Sequence, residues 1–378
     1  MKENIIPLYQ ATGKLIAKSK GCYLFDSEGK QYTDFESGVW CANIGHSNQQ
    51  WVERIDAQIK ESIHHGYHFR NKYAEALSVK LQQLAGFEGG ASVFLSSGSE
   101  AVNLSITLAK HFTGRKKVLK IDNSYLSAYG FGQIANENDT LVNVKYNDLD
   151  AVSDIAFKDI AAFVVETGGA SVEMVRFPDR AYIDKLIEHC RRNDCLVIAE
   201  EVTTGMGRLG KWFGFQHYDF IPDMVVTGKA LGNGFPVSSV TINQALAGKF
   251  SERPFRYAQS HQNDPLGCAI GLETIKIIEE NNLIESSKNK GGYFKGKLEK
   301  LKETYPDIIK EIRARGLMLA LELKESINGE SVSRELFDGG FVTGYKMNTL
   351  RFLPPLIIKK SDIDNLIDKL DEILNKWS

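Results

Sequence analysis

Apolar positions change rhythm twice along the chain. Near the start, short strand-like runs at Leu15–Ile16, Cys22–Phe25 and Gln31–Phe35, with turn residues Asp26–Ser27–Glu28–Gly29 between the last two, predict a small antiparallel meander. From Gln50 to about His65, Trp51, Ile55, Ile59 and Ile63 recur at every fourth position, the stripe of an amphipathic helix. The middle of the chain is different. Short apolar runs at Val93–Leu95, Val118–Ile121, Ala161–Val165, Leu196–Ala199 and Met224–Val226 alternate with helical stretches such as Arg180–Arg192, which predicts a parallel sheet covered on both faces. After Pro265 the pattern is helical to about Glu280 and across Ile284–Lys302. Strand-like Leu317–Leu323 and Leu350–Phe352 follow, then a last helix from Ser361. The expected organisation is an N-terminal segment over 1–42, a large α/β domain over 43–265 and a smaller α+β domain over 266–378. The meander has too little core to stand alone and is expected to pack on the C-terminal unit or the large domain.

Composition narrows the partners. Lys plus Arg (46) nearly cancels Asp plus Glu (48) in 378 residues, so no basic excess drives binding to nucleic acid or an anionic membrane. No stretch approaches the roughly 20 apolar residues of a membrane span. Met1 to Pro7 read as neither a secretory signal nor a transit peptide, so the expected location is the cytoplasm. The cysteines Cys22, Cys41, Cys190, Cys195 and Cys268 are scattered, with no CxxC pair or His at metal-ligand spacing, and are expected to be reduced thiols with no metal role.

In open α/β sheets ligands bind beyond the carboxyl ends of the strands. Here Ala161–Val165 ends at Glu166, Leu196–Ala199 at Glu200–Glu201, and Met224–Val226 at Thr227–Gly228–Lys229. Each group has a structural reading: Glu166 and Lys229 as an ion pair, Glu200 as a turn cap. All three together, beside glycine-rich turns, favour chemistry. Val93–Leu95 runs into Ser96–Ser97–Gly98–Ser99–Glu100–Ala101 and then a helix, which gathers free N–H groups and hydroxyls into an anion site. A serine cap alone would not need Ser97, Gly98 and Ser99 together. This segment has neither the GxxxxGK[ST] nor the GxGxxG pattern, so a single phosphate fits better there than a nucleoside triphosphate or dinucleotide. A phosphate cradle, a strand-end amine and a strand-end carboxylate are what a protein must offer pyridoxal phosphate.

At this point the chain resembles the class III aminotransferases, the acetylornithine and ornithine type within the fold-type I pyridoxal-phosphate enzymes, over nearly its whole length. Five blocks in the family's order carry the resemblance: Asn43–Ile44–Gly45–His46, Ser97–Gly98–Ser99–Glu100–Ala101, Glu201–Val202 with Thr204–Gly205–Met206–Gly207–Arg208, Thr227–Gly228–Lys229–Ala230–Leu231–Gly232, and Arg351–Phe352–Leu353–Pro354–Pro355–Leu356. The resemblance implies that Lys229 holds the cofactor covalently and then moves the proton between substrate and cofactor carbons. It implies that Ser97, Gly98 and Ser99 grip the phosphate, with Ser260 of the partner subunit of a homodimer, where the family usually has Thr. Tyr125 and Val202 would cover the two faces of the pyridine ring. Arg351 would bind a substrate carboxylate, and Val39 and Trp40 would line the pocket entrance.

The departures bear on substrate. Where the family places Asp against the pyridine nitrogen stands Glu200, 29 residues before Lys229 and one methylene longer. Thr203 replaces a Gln of ornithine-type members that reaches the cofactor's phenolic oxygen. Ala128 stands where acetylornithine-type enzymes carry a carboxylate-binding arginine. Ser171 lies near a second family glutamate, whose loss would leave Arg351 permanently available. One arginine where ornithine-type sites have two argues against ornithine, acetylornithine or a strict glutamate/2-oxoglutarate cycle, and towards a monocarboxylate or simple amine. The expected function is a cytoplasmic, homodimeric pyridoxal-phosphate aminotransferase. A racemase, epimerase or aminomutase on the same fold, and a non-catalytic cofactor-binding protein, remain open from the sequence.

Overall fold

The computed structural model describes residues 5–6, 8–9, 12–130, 140–168 and 174–377. The meander forms as β1 (Ile16–Lys20), β2 (Tyr23–Asp26) and β3 (Gln31–Asp34), followed by a single turn α1 (Ser37–Trp40). Helix α2 (Gln49–Glu61) starts where the Asn48 side chain accepts from the Trp51 N–H, and α3 (Lys72–Ala85) ends on left-handed Gly86. The central unit contains β4 (Ala91–Leu95), α4 (Gly98–Thr113), β5 (Lys117–Ile121), β6 (Leu141–Val144), α5 (Leu149–Ser153), β7 (Ile160–Glu166), α6 (Arg180–Arg192), β8 (Leu196–Glu200), β9 (Met224–Thr227), β10 (Ser238–Ile242) and α7 (Gln244–Glu252). The chain closes with α8 (Pro265–Glu280), α9 (Leu283–Thr304), β11 (Ile309–Arg315), β12 (Met318–Leu323), α10 (Gly329–Asp338), β13 (Phe341–Val342), β14 (Gly344–Lys346), β15 (Thr349–Phe352) and α11 (Lys360–Leu374).

Seven strands form the central sheet in the order β4-β10-β9-β8-β7-β5-β6. Its middle is parallel, as the buried apolar runs predict, but β10 is antiparallel to both β4 and β9. Strand β10, Ser-Ser-Val-Thr-Ile, escapes the pattern because its first positions are polar yet fully buried, with Ser239 Oγ paired to Thr227 Oγ1 at 2.7 Å. Strand β7 is buried at every residue, as a strand covered on both faces must be. The meander joins the C-terminal part of the chain: β13 pairs in parallel with β3, completing the sheet β1-β2-β3-β13. A third sheet, β11-β12-β15-β14, carries Arg351 on β15. No helix among the described residues is long and apolar enough to cross a membrane.

Between β3 and α2 the chain runs as a strap that ties these units together. Ser37, Gly38, Val39 and Trp40 all have positive φ (44°, 59°, 59° and 68°), a conformation that costs each of the non-glycine residues about 1–3 kcal/mol and persists only where surroundings enforce it. Here they do. Asp34 accepts from the Glu36 and Gly38 N–H groups at 2.8 Å each, and His46 Nε2 lies 2.8 Å from Asp34 Oδ2. Asn43 donates to the Met206 carbonyl, while Asn233 accepts from the Ile44 N–H and donates to the Gly45 carbonyl. Leu353 N–H donates to Phe35 O at 2.7 Å and Leu356 N–H to Asn43 O at 2.8 Å. Arg208, fully buried, donates to Ser37 Oγ, Asn43 Oδ1 and the carbonyls of Leu317 and Pro354.

Candidate active site

Strands β7, β8 and β9 end side by side, so Glu166 and Glu200 are register partners and Lys229 follows just beyond β9. Lys229 adopts φ 41° at the head of a single turn, and its Nζ donates to Thr203 Oγ1 at 2.8 Å while lying 4.6 Å from the centre of the Trp40 ring. Burial pushes its amine below the usual range, against the pull of Glu200. A lysine that loses its proton readily is more often the neutral amine, the form that acts as nucleophile and proton acceptor.

The adjacent glutamates differ. Glu201 accepts hydrogen bonds from Thr167 Oγ1 (3.2 Å), Thr204 Oγ1 (2.5 Å), Gly214 N–H (2.7 Å) and Phe215 N–H (2.8 Å), which is a structural role. Glu200 accepts from the Val202 N–H at 3.0 Å. Burial pushes its carboxyl up to about 7, with Lys229 and that N–H pulling it back down. A carboxylate that is costly to bury beside an amine gains from a further cationic partner, such as a protonated ring nitrogen.

At the start of α4 the Ser97 hydroxyl accepts from the Glu100 N–H at 3.2 Å, and the Glu100 carboxylate accepts from the Ser97 N–H, a reciprocal capping box. Ser99 Oγ accepts from the Ala128 N–H at 3.0 Å. Both hydroxyls therefore serve the protein as acceptors and keep their O–H to donate, beside the first-turn N–H groups that no helix can satisfy internally. A donor-rich helix terminus suits a phosphate. Space is tight as well: a Cβ on Gly98 would sit 2.7 Å from Val202 Cγ1, and one on Gly228 would sit 3.3 Å from the Gly98 Cα. Anchor, amine, carboxylate and a narrow slot walled by Val202 together fit pyridoxal phosphate.

Trp40, buried at 9% exposure, connects this end to another. Its ring centre is 5.0 Å from the Arg351 guanidinium, and its Nε1 donates to Glu36 Oε2 at 3.2 Å. Arg351 is not permanently available, contrary to the expectation drawn from Ser171. Its Nε lies 3.3 Å and 3.4 Å from the two Glu36 carboxylate oxygens, and its Nη2 is 3.4 Å from Oε2. The physical reason is that the strap brings in a different carboxylate, from 315 residues away. Ser171 itself lies outside the described residues. The sequence pattern gives Glu36 no role, and places Arg208 in a family block without one. A charged residue directly before Ser37–Gly38 is visible there, but its arginine partner is set by tertiary pairing alone.

Among the other expected site residues, Tyr125 is 43% exposed on a segment tied to α4 through Ala128, and Val39 is 61% exposed on the strap. Ser260 is exposed on the chain before α8. Its neighbour Gln259 reaches Ser96 Oγ (3.4 Å) and Glu100 Oε1 (3.3 Å), and Asp264 bridges His64 and His261 at 2.5 and 2.6 Å.

Comparison with known proteins agrees with this arrangement. The family model described as Aminotransferase class-III matches residues 9–127 and 126–374. An acetylornithine aminotransferase of Aquifex aeolicus is 32% identical, over 94% of this chain and 96% of that protein. Another, from Caldanaerobacter subterraneus, is 30% identical over 99% and 98%. Among solved structures, a transaminase from the marine bacterium Virgibacillus superposes with a TM-score of 0.91 at 25% identity, covering 99% of this chain and 97% of that one. An acetylornithine aminotransferase from Elizabethkingia anophelis gives a TM-score of 0.85 at 25% identity, covering 97% and 95%.

Proposed function

The chain belongs to the class-III aminotransferases, a pyridoxal-phosphate-dependent family that moves amino groups, and on that premise we propose how its residues divide the work and which substrates it takes. The cofactor supplies the carbon that carries the amino group and an electron-accepting ring. Lys229 is the residue whose Nζ would hold the cofactor and, when free, would hold and move the proton at the reacting carbon. The depressed basicity of that amine and its bond to Thr203 support this role. Glu200 would serve as the counter-charge for the ring nitrogen. The hydroxyls of Ser97 and Ser99 and the N–H groups of Gly98 and Ser99 would hold the phosphate, Val202 and Tyr125 would flank the ring, and Ser260 of the partner subunit would complete the phosphate site in a homodimer.

Arg351 receives a substrate carboxylate, with Trp40 and Val39 at the entrance. The curated relatives above are named for acetylornithine, but Ala128 offers no second guanidinium here. The substrates are accordingly a monocarboxylate amino acid or simple amine and a matching oxo compound. The observation that carries this reading is the convergence of Lys229, Glu200 and the α4 terminus at one strand-end pocket, with a single arginine across Trp40. The test is to add alanine, glutamate, ornithine or a simple diamine singly to the holoenzyme, with no acceptor, and follow the cofactor's visible absorption. Bleaching by alanine or by the diamine is expected; bleaching by ornithine or glutamate alone overturns the substrate class, a band that no donor bleaches favours a racemase or a non-catalytic binding protein, and no band even after adding pyridoxal phosphate overturns the role of Lys229.

A further inference from the structure

Arg351 and Glu36 form a constructed pair. Arg351 is 8% exposed, as is Glu36. Both side chains press on Gly344 of β14, where any Cβ would collide with the Arg351 Nε and the Glu36 carboxylate. Two of the three guanidinium nitrogens face Glu36, while Nη1 is buried with no hydrogen-bond partner among the described residues. An unfilled buried donor on a cation is costly, and a second anionic ligand would satisfy it.

We propose that Glu36 is a proton-coupled stand-in for the substrate carboxylate: it occupies the Arg351 fork in the resting enzyme and takes up one proton when a carboxylate substrate binds. This rests on Arg351 being the carboxylate site. Two ionised carboxylates crowded on one buried guanidinium repel each other, so one must leave or become neutral. Glu36 is held in place. Its backbone N–H is bonded to Asp34, its Oε2 accepts from Trp40, and the strap around it is pinned by Arg208. Neutralisation is therefore the open route: the substrate arrives as an anion, the proton comes from solvent to the Glu36 carboxyl, and the arginine stays cationic throughout. The surrounding charges are Arg351 on β15, Asp34 on β3 with its partner His46, Arg208 beyond Ser37, and Lys229 across Trp40. Burial already pushes the Glu36 carboxyl up, and Asp34 adds to it, while Arg351 opposes both. Amine substrates lacking a carboxylate bind with the pair intact and need no proton.

The experiment is calorimetric titration of holoenzyme with butyrate, which has neither amine nor carbonyl to react, in two buffers of different ionisation enthalpy across a pH series. Wild type is expected to take up close to one proton per butyrate, with Kd rising about tenfold per pH unit where Glu36 is ionised. Glu36→Gln keeps the size and the Trp40 bond, and is expected to bind butyrate without uptake and with a flat profile. No uptake in wild type, with binding lost in Arg351→Gln, overturns the proposal but leaves the arginine site standing. Uptake that persists in Glu36→Gln assigns the proton elsewhere and also overturns it. Binding indifferent to Arg351→Gln overturns the arginine site, and the proposal with it. The wild-type titration alone can refute the idea should the variant not fold.

Discussion

The two ends of the pocket are built in different ways. At the cofactor end, Ser97–Ser99, Glu200 and Lys229 sit in contiguous motifs at the edges of strands whose order the sheet dictates. At the substrate end, Glu36, Trp40, Gly344 and Arg351 come from three separate segments and meet through a strained strap. The cofactor end positions groups through local secondary structure, whereas the substrate end depends on long-range packing. Chemistry shared across a family can reside in the first, and discrimination between substrates can be adjusted in the second without disturbing it.

Substitutions can test that division, and the largest effect belongs to the cofactor end. Lys229→Ala is expected to lower turnover by about 10⁴-fold or more while leaving the thermal midpoint close to wild type, measured in single-turnover amino transfer. Glu200→Ala should cost about 10²-fold or more in kcat, and Glu200→Asp should preserve or raise it. An alanine variant with unchanged kcat would place the nitrogen's partner elsewhere. The same residue leaves a mark on stability. Its carboxyl, normally near 4.5, is pushed up to about 7 by burial, so the cofactor-free fold binds this proton more tightly than the unfolded chain does. That contribution is whole below about pH 4.5 and is lost as pH rises through about 7. Glu200→Gln should flatten this decline in thermal midpoints of cofactor-free protein.

Smaller effects probe the far end. Gly344→Ala, which drives a methyl group into the Glu36–Arg351 pair, should raise KM for a carboxylate donor about tenfold with little change for a simple amine. Equal losses for both donors would show that the two ends are not separable. Ser99→Ala removes one hydroxyl donor and should weaken cofactor affinity about three- to tenfold in a spectroscopic titration, with KM ratios unaltered.

How much the sequence discloses follows the same division. Periodicity marks α6 and α8 at their observed limits, because Tyr182, Ile183, Leu186 and Ile187 form one buried stripe and Pro265 opens the other helix. Buried runs locate β7, β8 and β9 and so the strand-end groups. β10 is missed because its buried serines are satisfied by other strands and turns, Ser238 donating to the Ser97 carbonyl and Ser239 pairing with Thr227, which a hydrophobic pattern does not register. The Glu36–Arg351 pair is missed for a different reason. Neither residue carries a local signal of the other, and their contact exists only once β13 has joined β3 and β15 has paired with β14.

Arg208 gives this division an order in time. A chain emerging from the ribosome has made every strand of the seven-stranded sheet by Ile242, before any residue of the β11-β12-β15-β14 sheet exists. At that stage the Arg208 guanidinium can reach Ser37 and Asn43, but the carbonyls of Leu317 and Pro354 have yet to be synthesised. The strap thus waits for the last sixth of the protein before it is locked, and the Glu36–Arg351 pair is the last part of the proposed site to assemble.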